Sequence, residues 1–139
     1  MTPTNIAPTE QTAPTEDAGP EATTGVNLVV VRGHLSSDPV QRELPSGDLL
    51  HSYELTVRSG DLPADTVPVV LIGAVPPKNL CRGSEVLVVG RVRRRFFRAG
   101  GSTASRTEVV AERIVAARRT SAVAGVLHQA SERLKSSPS

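Results

Sequence analysis

The chain has 139 residues, one cysteine and a formal net charge of +2, which suits a single domain with a modest core and tails. The lone Cys81 excludes a disulfide within the chain and fits a reducing compartment. Apolar runs such as Leu28–Val31 are far too short to span a membrane, and no secretory signal peptide is recognisable. We therefore expect a soluble, cytoplasmic protein.

Charge is unevenly distributed along the chain. The first 24 residues carry four acidic side chains and no basic one, so the remainder holds 16 basic against 10 acidic residues, an excess of +6. Fourteen of the 16 basic residues are arginine, which pairs with phosphate through two hydrogen bonds and also stacks on flat rings. The body of the chain is therefore compatible with a polyanionic partner.

Residues 1–25 are rich in Thr, Pro, Ala and Glu, and the sequence APTE occurs there twice, at Ala7–Glu10 and Ala13–Glu16. Such a segment cannot bury enough apolar surface to offset the entropy lost on ordering it. We predict a disordered tail, with the folded domain at residues 26–118.

Five strands are predicted within that domain from β-branched or alternating apolar residues. They are Val26–Leu35, Leu49–Val57, Thr66–Ala74, Glu85–Phe97 and Arg106–Ala117. Ser36–Asp48 is predicted as a turn-rich connection and Arg98–Ser105 as a hairpin loop. Pro68 lies near the start of its strand, where a missing N–H is tolerated, and the long fourth strand is expected to bend at Gly90.

Residues 119–139 are predicted as a C-terminal helix and tail. Between Ser121 and Leu134 one helical stripe is apolar, and Thr120 or Ser121 can cap the helix. The stripe consists of Val123, Val126, Leu127, Ala130 and Leu134. A solvated helix and a helix docked on the domain or on a neighbouring subunit both remain open.

The fold class predicted from this order is all-β. Five strands with a connector between the third and the fourth are the order of an OB-fold barrel.

The stretch GRVRRRFFRAGG, at Gly90–Gly101, contains five arginines and two of the three aromatic residues of the chain. Single-stranded nucleic acid requires cations for its phosphates and flat side chains for its bases. On a strand, Arg93, Arg95 and Phe97 share one face. Phe96 points to the opposite face, where we expect it to contribute mainly to stability.

Three segments carry a resemblance to a known family. They are VNLVVVRGHLSSDPVQRELPSGDLLHSYELTV, RGSEVLVVGRVRRRFF and TEVVAERI. The matching positions are Asn27, Gly33, Leu35, Asp38, Pro39, Arg42, Pro45, Ser46, Gly47, Gly83, Ser84, Val86, Val88, Gly90, Arg93 and Arg95. Over about Val26–Ala116 the chain thus resembles bacterial single-stranded DNA-binding proteins.

The resemblance implies sequence-independent binding of single-stranded DNA in replication, recombination or repair. It also implies a nucleoid-associated location and a homotetramer or homodimer formed through the first strand. A stacking aromatic of the family corresponds to Phe97. The candidate nucleic-acid-binding residues are Arg32, Arg42, Tyr53, Arg58, Arg91, Arg93, Arg94, Arg95, Phe97 and Arg98.

The chain also departs from the family pattern. Other stacking aromatics of the family fall near Asp61, Thr66 and Ile72, where this chain has none. The chain ends in SERLKSSPS instead of an acidic tip, so recruitment of repair enzymes by such a tip is not expected. The alternative is a structural or regulatory OB-fold paralogue with weak DNA affinity that acts through protein–protein contacts.

No catalytic chemistry is predicted. His34, His51 and His128 lack the paired spacing of a metal site. Cys81 has no catalytic partner nearby in the sequence and is expected to be a buried structural thiol. We expect neither an enzyme nor a bound cofactor or metal.

Overall fold

The computed structural model describes residues 25–136, so the predicted disordered tail lies, apart from Gly25, outside the described residues. The described chain forms six strands and one helix. They are β1 (Val29–Leu35), β2 (Val40–Glu43), β3 (Leu49–Val57), β4 (Asp65–Ile72), β5 (Glu85–Ala99), β6 (Ser102–Ala116) and α1 (Thr120–Ser136). The prediction of a mostly β domain with a C-terminal helix is confirmed.

The strands form one sheet that closes on itself. Its order is β1-β5-β6-β4-β3-β2, and β1 also pairs with β3. Every pair is antiparallel except β4 with β6, which run parallel at Val69 and Val70. The ring encloses an aliphatic core in which Leu55, Val86 and Val88 are fully buried.

The connection predicted at Ser36–Asp48 contains an additional strand, β2, so the prediction of five strands was wrong. A tight turn returns the chain at this point: the Leu44 N–H donates to the Asp48 carbonyl at 2.8 Å, and Gly47 has a φ of 93°. The turn brings β2 into antiparallel register with β3. All four β2 residues are exposed, so β2 lacks the alternation of apolar and polar residues by which a strand is recognised in a sequence.

The pairing of the sheet is irregular at Gly90, where the sequence predicts a bend of the strand. The register of β5 and β6 shifts between Val89 and Gly90, as in a β-bulge. A Cβ at position 90 would overlap the Val110 carbonyl oxygen and lie 2.9 Å from the Ala111 Cα. Only glycine therefore allows the two strands to approach this closely.

The hairpin predicted at Arg98–Ser105 is present, but its loop is shorter than predicted, because β5 and β6 continue to a two-residue turn. Gly100 and Gly101 form this turn with φ values of 59° and 85°, which suit glycine and match the twist of a hairpin. Beyond Val92, neither strand has a further strand partner among the described residues. We call this two-stranded extension, residues 93–108, the ribbon.

Helix α1 packs on the outside of its own sheet. Val123, Val126 and Ala130 are buried against Leu87, Val89 and Val115. The helix is therefore docked on its own domain and is not a solvated tail helix.

Two details of α1 differ from the prediction. Leu127 and Leu134 of the predicted stripe remain 42% and 55% exposed. The Val123 N–H donates to the Arg119 carbonyl, so the cap position falls at Arg119 instead of Thr120 or Ser121.

Candidate nucleic-acid interface

The ribbon has two faces, because side chains alternate along a strand. Arg93, Arg95 and Phe97 lie on what we call the first face, as predicted, opposite Glu108, Arg106 and Ala104 of β6. The second face carries Arg94, Phe96 and Arg98 opposite Thr107, Ser105 and Thr103.

A groove of about 610 Å³ crosses the outside of the sheet and ends against the first face of the ribbon. Its walls combine aliphatic and charged side chains from β2 to β6. The aliphatic residues are Val40, Leu44, Leu50, Val70 and Ile72. The charged residues are Asp38, Arg42, Glu54, Arg93, Arg95, Arg106 and Glu108.

Glu108 is the buried centre of the charged part of the groove. Its side chain is only 1% exposed, and one carboxylate oxygen, Oε2, accepts hydrogen bonds from Arg93 at 2.7 Å and Arg95 at 3.2 Å. The other oxygen, Oε1, lies 3.7 Å from Arg106 Nε and has no hydrogen-bond donor among the described residues. Arg106 also donates to Glu54 at 2.8 Å. Three guanidinium groups are thus held together at one end of the groove.

Two opposing effects act on the pKa of Glu108. Burial would raise it, but the hydrogen bonds and positive charges of Arg93 and Arg95 outweigh burial and lower the pKa below its ordinary value of 4.5. The carboxylate is therefore ionised at neutral pH and cancels part of the arginine charge.

This lowered pKa predicts a pH-dependent contribution to stability. Because the folded pKa lies below the unfolded one, the contribution is complete above about pH 4.5 and is lost as the pH falls through the folded pKa. Urea unfolding of the parent and of Glu108→Gln should differ most near pH 7, and the difference should shrink below about pH 4.5. A difference that stays constant from pH 7 to pH 3.5 would contradict this assignment.

Each face of the ribbon carries an arginine stacked on a phenylalanine. The Arg95 guanidinium carbon lies 5.2 Å from the centre of the Phe97 ring, and that of Arg94 lies 5.3 Å from the Phe96 ring, both within cation–π range. Phe97 is 37% exposed and Phe96 is 64% exposed. The expectation that Phe96 mainly stabilises the domain was wrong, because the ribbon extends beyond the core.

The other predicted arginines lie in two separate places on the surface. Arg42 lines the groove, and Arg91 is exposed on the same side of β5 as Arg93. Arg32 forms an ion pair with Glu85 at 2.8 Å and lines, with Arg58, a different concavity of about 710 Å³.

Tyr53 was wrongly predicted as a stacking residue. It is only 3% exposed and lies in the core cluster, where burial raises the pKa of its hydroxyl. Arg106 and Glu108 were missed as site residues. The two residues are two positions apart in the predicted fifth strand, and this spacing could have placed both on one face.

Cys81 and His51 do not line the groove. Cys81 is exposed, so the expectation of a buried thiol was wrong; it lies in a turn, where the Ser84 Oγ is 3.7 Å from its Sγ. His51 is buried, and its Nε2 shares a 3.1 Å hydrogen bond with Gln41. Within residues 25–136, no three His, Cys, Asp or Glu side chains cluster as metal ligands would. The one helix of this region is not long and apolar enough to cross a membrane.

No protein-family model matches the chain, and a search of curated proteins also finds no match. The resemblance to bacterial single-stranded DNA-binding proteins therefore stays a prediction.

Proposed function

We propose that the closed sheet is an OB-fold barrel and that it binds single-stranded DNA without sequence preference, in replication, recombination or repair. The observation that carries this proposal is the groove, which joins an aliphatic surface to a cluster of arginines beside an exposed Phe97.

The pairing order supports the OB-fold. β1 pairs with β3 at His34 and Leu35, and β2 continues the pairing with β3 at Val40. Taken as the two halves of one bent strand, β1 and β2 reduce the ring to five strands, the number of an OB barrel. The β1–β5 pairing then closes the barrel.

The position of the groove supports oligonucleotide binding. OB-folds bind oligonucleotides on the face of their second and third strands, between the loop after strand one and the hairpin of strands four and five. In this chain that face is formed by β3 and β4, and the two loops are the turn at 44–48 and the tip of the ribbon. The groove is lined by Leu44, by β3 and β4 side chains and by the base of the ribbon.

The chemistry of the groove favours a single strand over a duplex. Guanidinium groups bind phosphates, while a phenylalanine ring and aliphatic side chains contact the flat faces of unpaired bases. Such contacts do not distinguish one base from another. We therefore infer binding without sequence preference.

We also propose that the protein associates with itself. Residues 29–33 of β1 pair with β5 on one edge, and on the other edge they have no strand partner within residues 25–136. Val30 on this strand is 43% exposed. An unpaired edge of this kind can pair with a second copy, as a homodimer or homotetramer through the first strand requires.

A second candidate function is that of a structural or regulatory paralogue with weak DNA affinity that acts on a protein partner. The observation that favours it is charge compensation, because Glu54 and Glu108 neutralise part of the arginine charge in the groove. One titration distinguishes the two functions: it measures the affinity for a labelled oligo-dT and the dependence of this affinity on salt.

Phe97→Ala should weaken binding of oligo-dT by about 1–3 kcal/mol, because one stacked base loses its aromatic partner. The slope of log affinity against log salt should remain unchanged, since stacking releases no counterions. Fluorescence anisotropy at two or more salt concentrations measures both quantities, with Phe97→Tyr as the matched variant that keeps a ring. Parent-like binding by a folded Phe97→Ala protein would remove the stacking role, and absence of binding by the parent would favour the protein-partner function.

A further inference from the structure

The second face of the ribbon has no role in the groove. Its exposed residues are Arg94, Phe96, Arg98, Thr103, Ser105 and Thr107. None of the six lines the groove, which meets only the first face. The second face is therefore a separate surface.

Positive charge on the second face is uncompensated, in contrast to the groove. Arg94 donates only to the Ser105 hydroxyl, at 3.2 and 3.3 Å, and Arg98 donates to the Gly101 carbonyl at 3.0 Å. No acidic residue lies on this face of the ribbon, whereas Arg93 and Arg95 on the first face are both bound to Glu108. The second face is accordingly suited to a polyanion.

Stacking capacity accompanies this charge. Phe96 exposes 64% of its surface and lies under Arg94 in nearly the same geometry as Phe97 under Arg95, at 5.3 and 5.2 Å. The hydroxyls of Thr103 and Ser105 add donors of the kind that contact phosphates. The second face thus combines the same elements as a single-strand binding surface.

We propose that the ribbon binds single-stranded DNA on both faces, and that the second face holds a segment of the strand continuous with the segment in the groove. The proposal rests on the function proposed above and extends it from a groove to a wrapped path. The tip consists of Gly100 and Gly101, which carry no side chains, so nothing at the tip obstructs a strand that passes from one face to the other. The ribbon extends about 20 Å from Arg93 to Ala99 at about 3.3 Å per residue, so a strand that fills the groove, passes over the tip and follows the second face must be longer than one that only fills the groove.

Tryptophan reporters test the two faces separately, because the chain contains no tryptophan. Phe96→Trp, Phe97→Trp and, as a control on α1, Leu127→Trp would each be titrated with oligo-dT of about 8 nucleotides, which is within the site size of one OB-fold, and of about 30 nucleotides, which exceeds it. Quenching is expected at position 97 with both oligomers and at position 96 with the longer one alone. The control should show no quenching with either oligomer. Phe96→Ala should weaken binding of the longer oligomer at least about fivefold and leave the shorter one unchanged.

The outcomes separate this inference from the proposed function. If position 97 is quenched and position 96 is not, and Phe96→Ala binds the longer oligomer like the parent, the groove binds DNA and the second face does not. If the parent binds neither oligomer, both proposals fail together. If Phe96→Ala lowers the mass measured by light scattering without DNA, the second face is a contact between copies of the chain, and the inference is overturned.

Discussion

Glu108→Gln should bind single-stranded DNA more tightly than the parent while it unfolds more easily. The substitution keeps the shape of the side chain and removes the charge that Arg93 and Arg95 share. Hydrogen bonds to a charged group contribute more than those to a neutral one, about 1.5–3 kcal/mol each. Because both arginines are partly exposed and can regain water, we expect a net loss of stability of about 1–2 kcal/mol.

The gain in affinity follows from the freed arginine charge. Each phosphate neutralised on a single strand adds about 0.7 to the slope of log affinity against log salt. One additional effective charge should therefore raise the affinity at 0.1 M salt roughly fivefold relative to that at 1 M. Anisotropy titrations with oligo-dT over this range measure the slope, and urea unfolding measures the stability.

Glu112→Gln is the matched control for this experiment. Glu112 lies on the same strand but forms its ion pair with Arg133 of α1, at 2.6 Å, and both side chains are nearly half exposed. An exposed pair of this kind contributes about 0–1 kcal/mol, so the control should remain close to the parent in stability. Weaker DNA binding by a folded Glu108→Gln protein would show that Glu108 assists binding by positioning the arginines, and would contradict the role of a competing charge.

Gly90→Ala should destabilise the domain by about 3 kcal/mol, the upper end of the usual cost of overpacking. An added Cβ would overlap the Val110 carbonyl oxygen and press on the Ala111 Cα, both of which belong to the backbone of β6. Backbone atoms cannot turn aside as a flexible side chain does, so the clash must separate β5 from β6 or shift their register. Thermal and urea unfolding monitored by circular dichroism measure the loss.

The bulge at this point also sets the orientation of the ribbon. A shift of one residue would exchange the faces on which Arg93 and Arg94 lie. Gly90→Ala should therefore weaken oligo-dT binding even under conditions in which the variant is folded. Gly125→Ala serves as control, because an added Cβ on α1 meets no atom within 4 Å and should stabilise the helix by up to about 1 kcal/mol. Parent-like stability of Gly90→Ala would mean that the backbone at this position adapts at little cost.

Local sequence patterns determined the helix and five of the six described strands. The alternation in Leu49–Val57 coincides with β3, and the position of the bend predicted at Gly90 coincides with the register shift. These features are predictable because a strand and its bends depend on neighbours within a few residues. The shared face of Arg93, Arg95 and Phe97 follows from the same period of two.

The tertiary structure alone decided which residues face the groove and which face the core. The position of Tyr53 in the core follows from the closure of the ring, and the exposure of Phe96 follows from the extension of the ribbon beyond the core.

The charge of the groove likewise depends on pairing across the sheet. Glu108 meets Arg93 and Arg95 because β5 and β6 pair in one particular register, over a separation of 13 to 15 residues. The sequence by itself determined a basic, arginine-rich β domain with an aromatic pair. Which arginines are neutralised and which remain available for phosphate was decided by register and closure, because electrostatic interactions depend on distances in the folded chain.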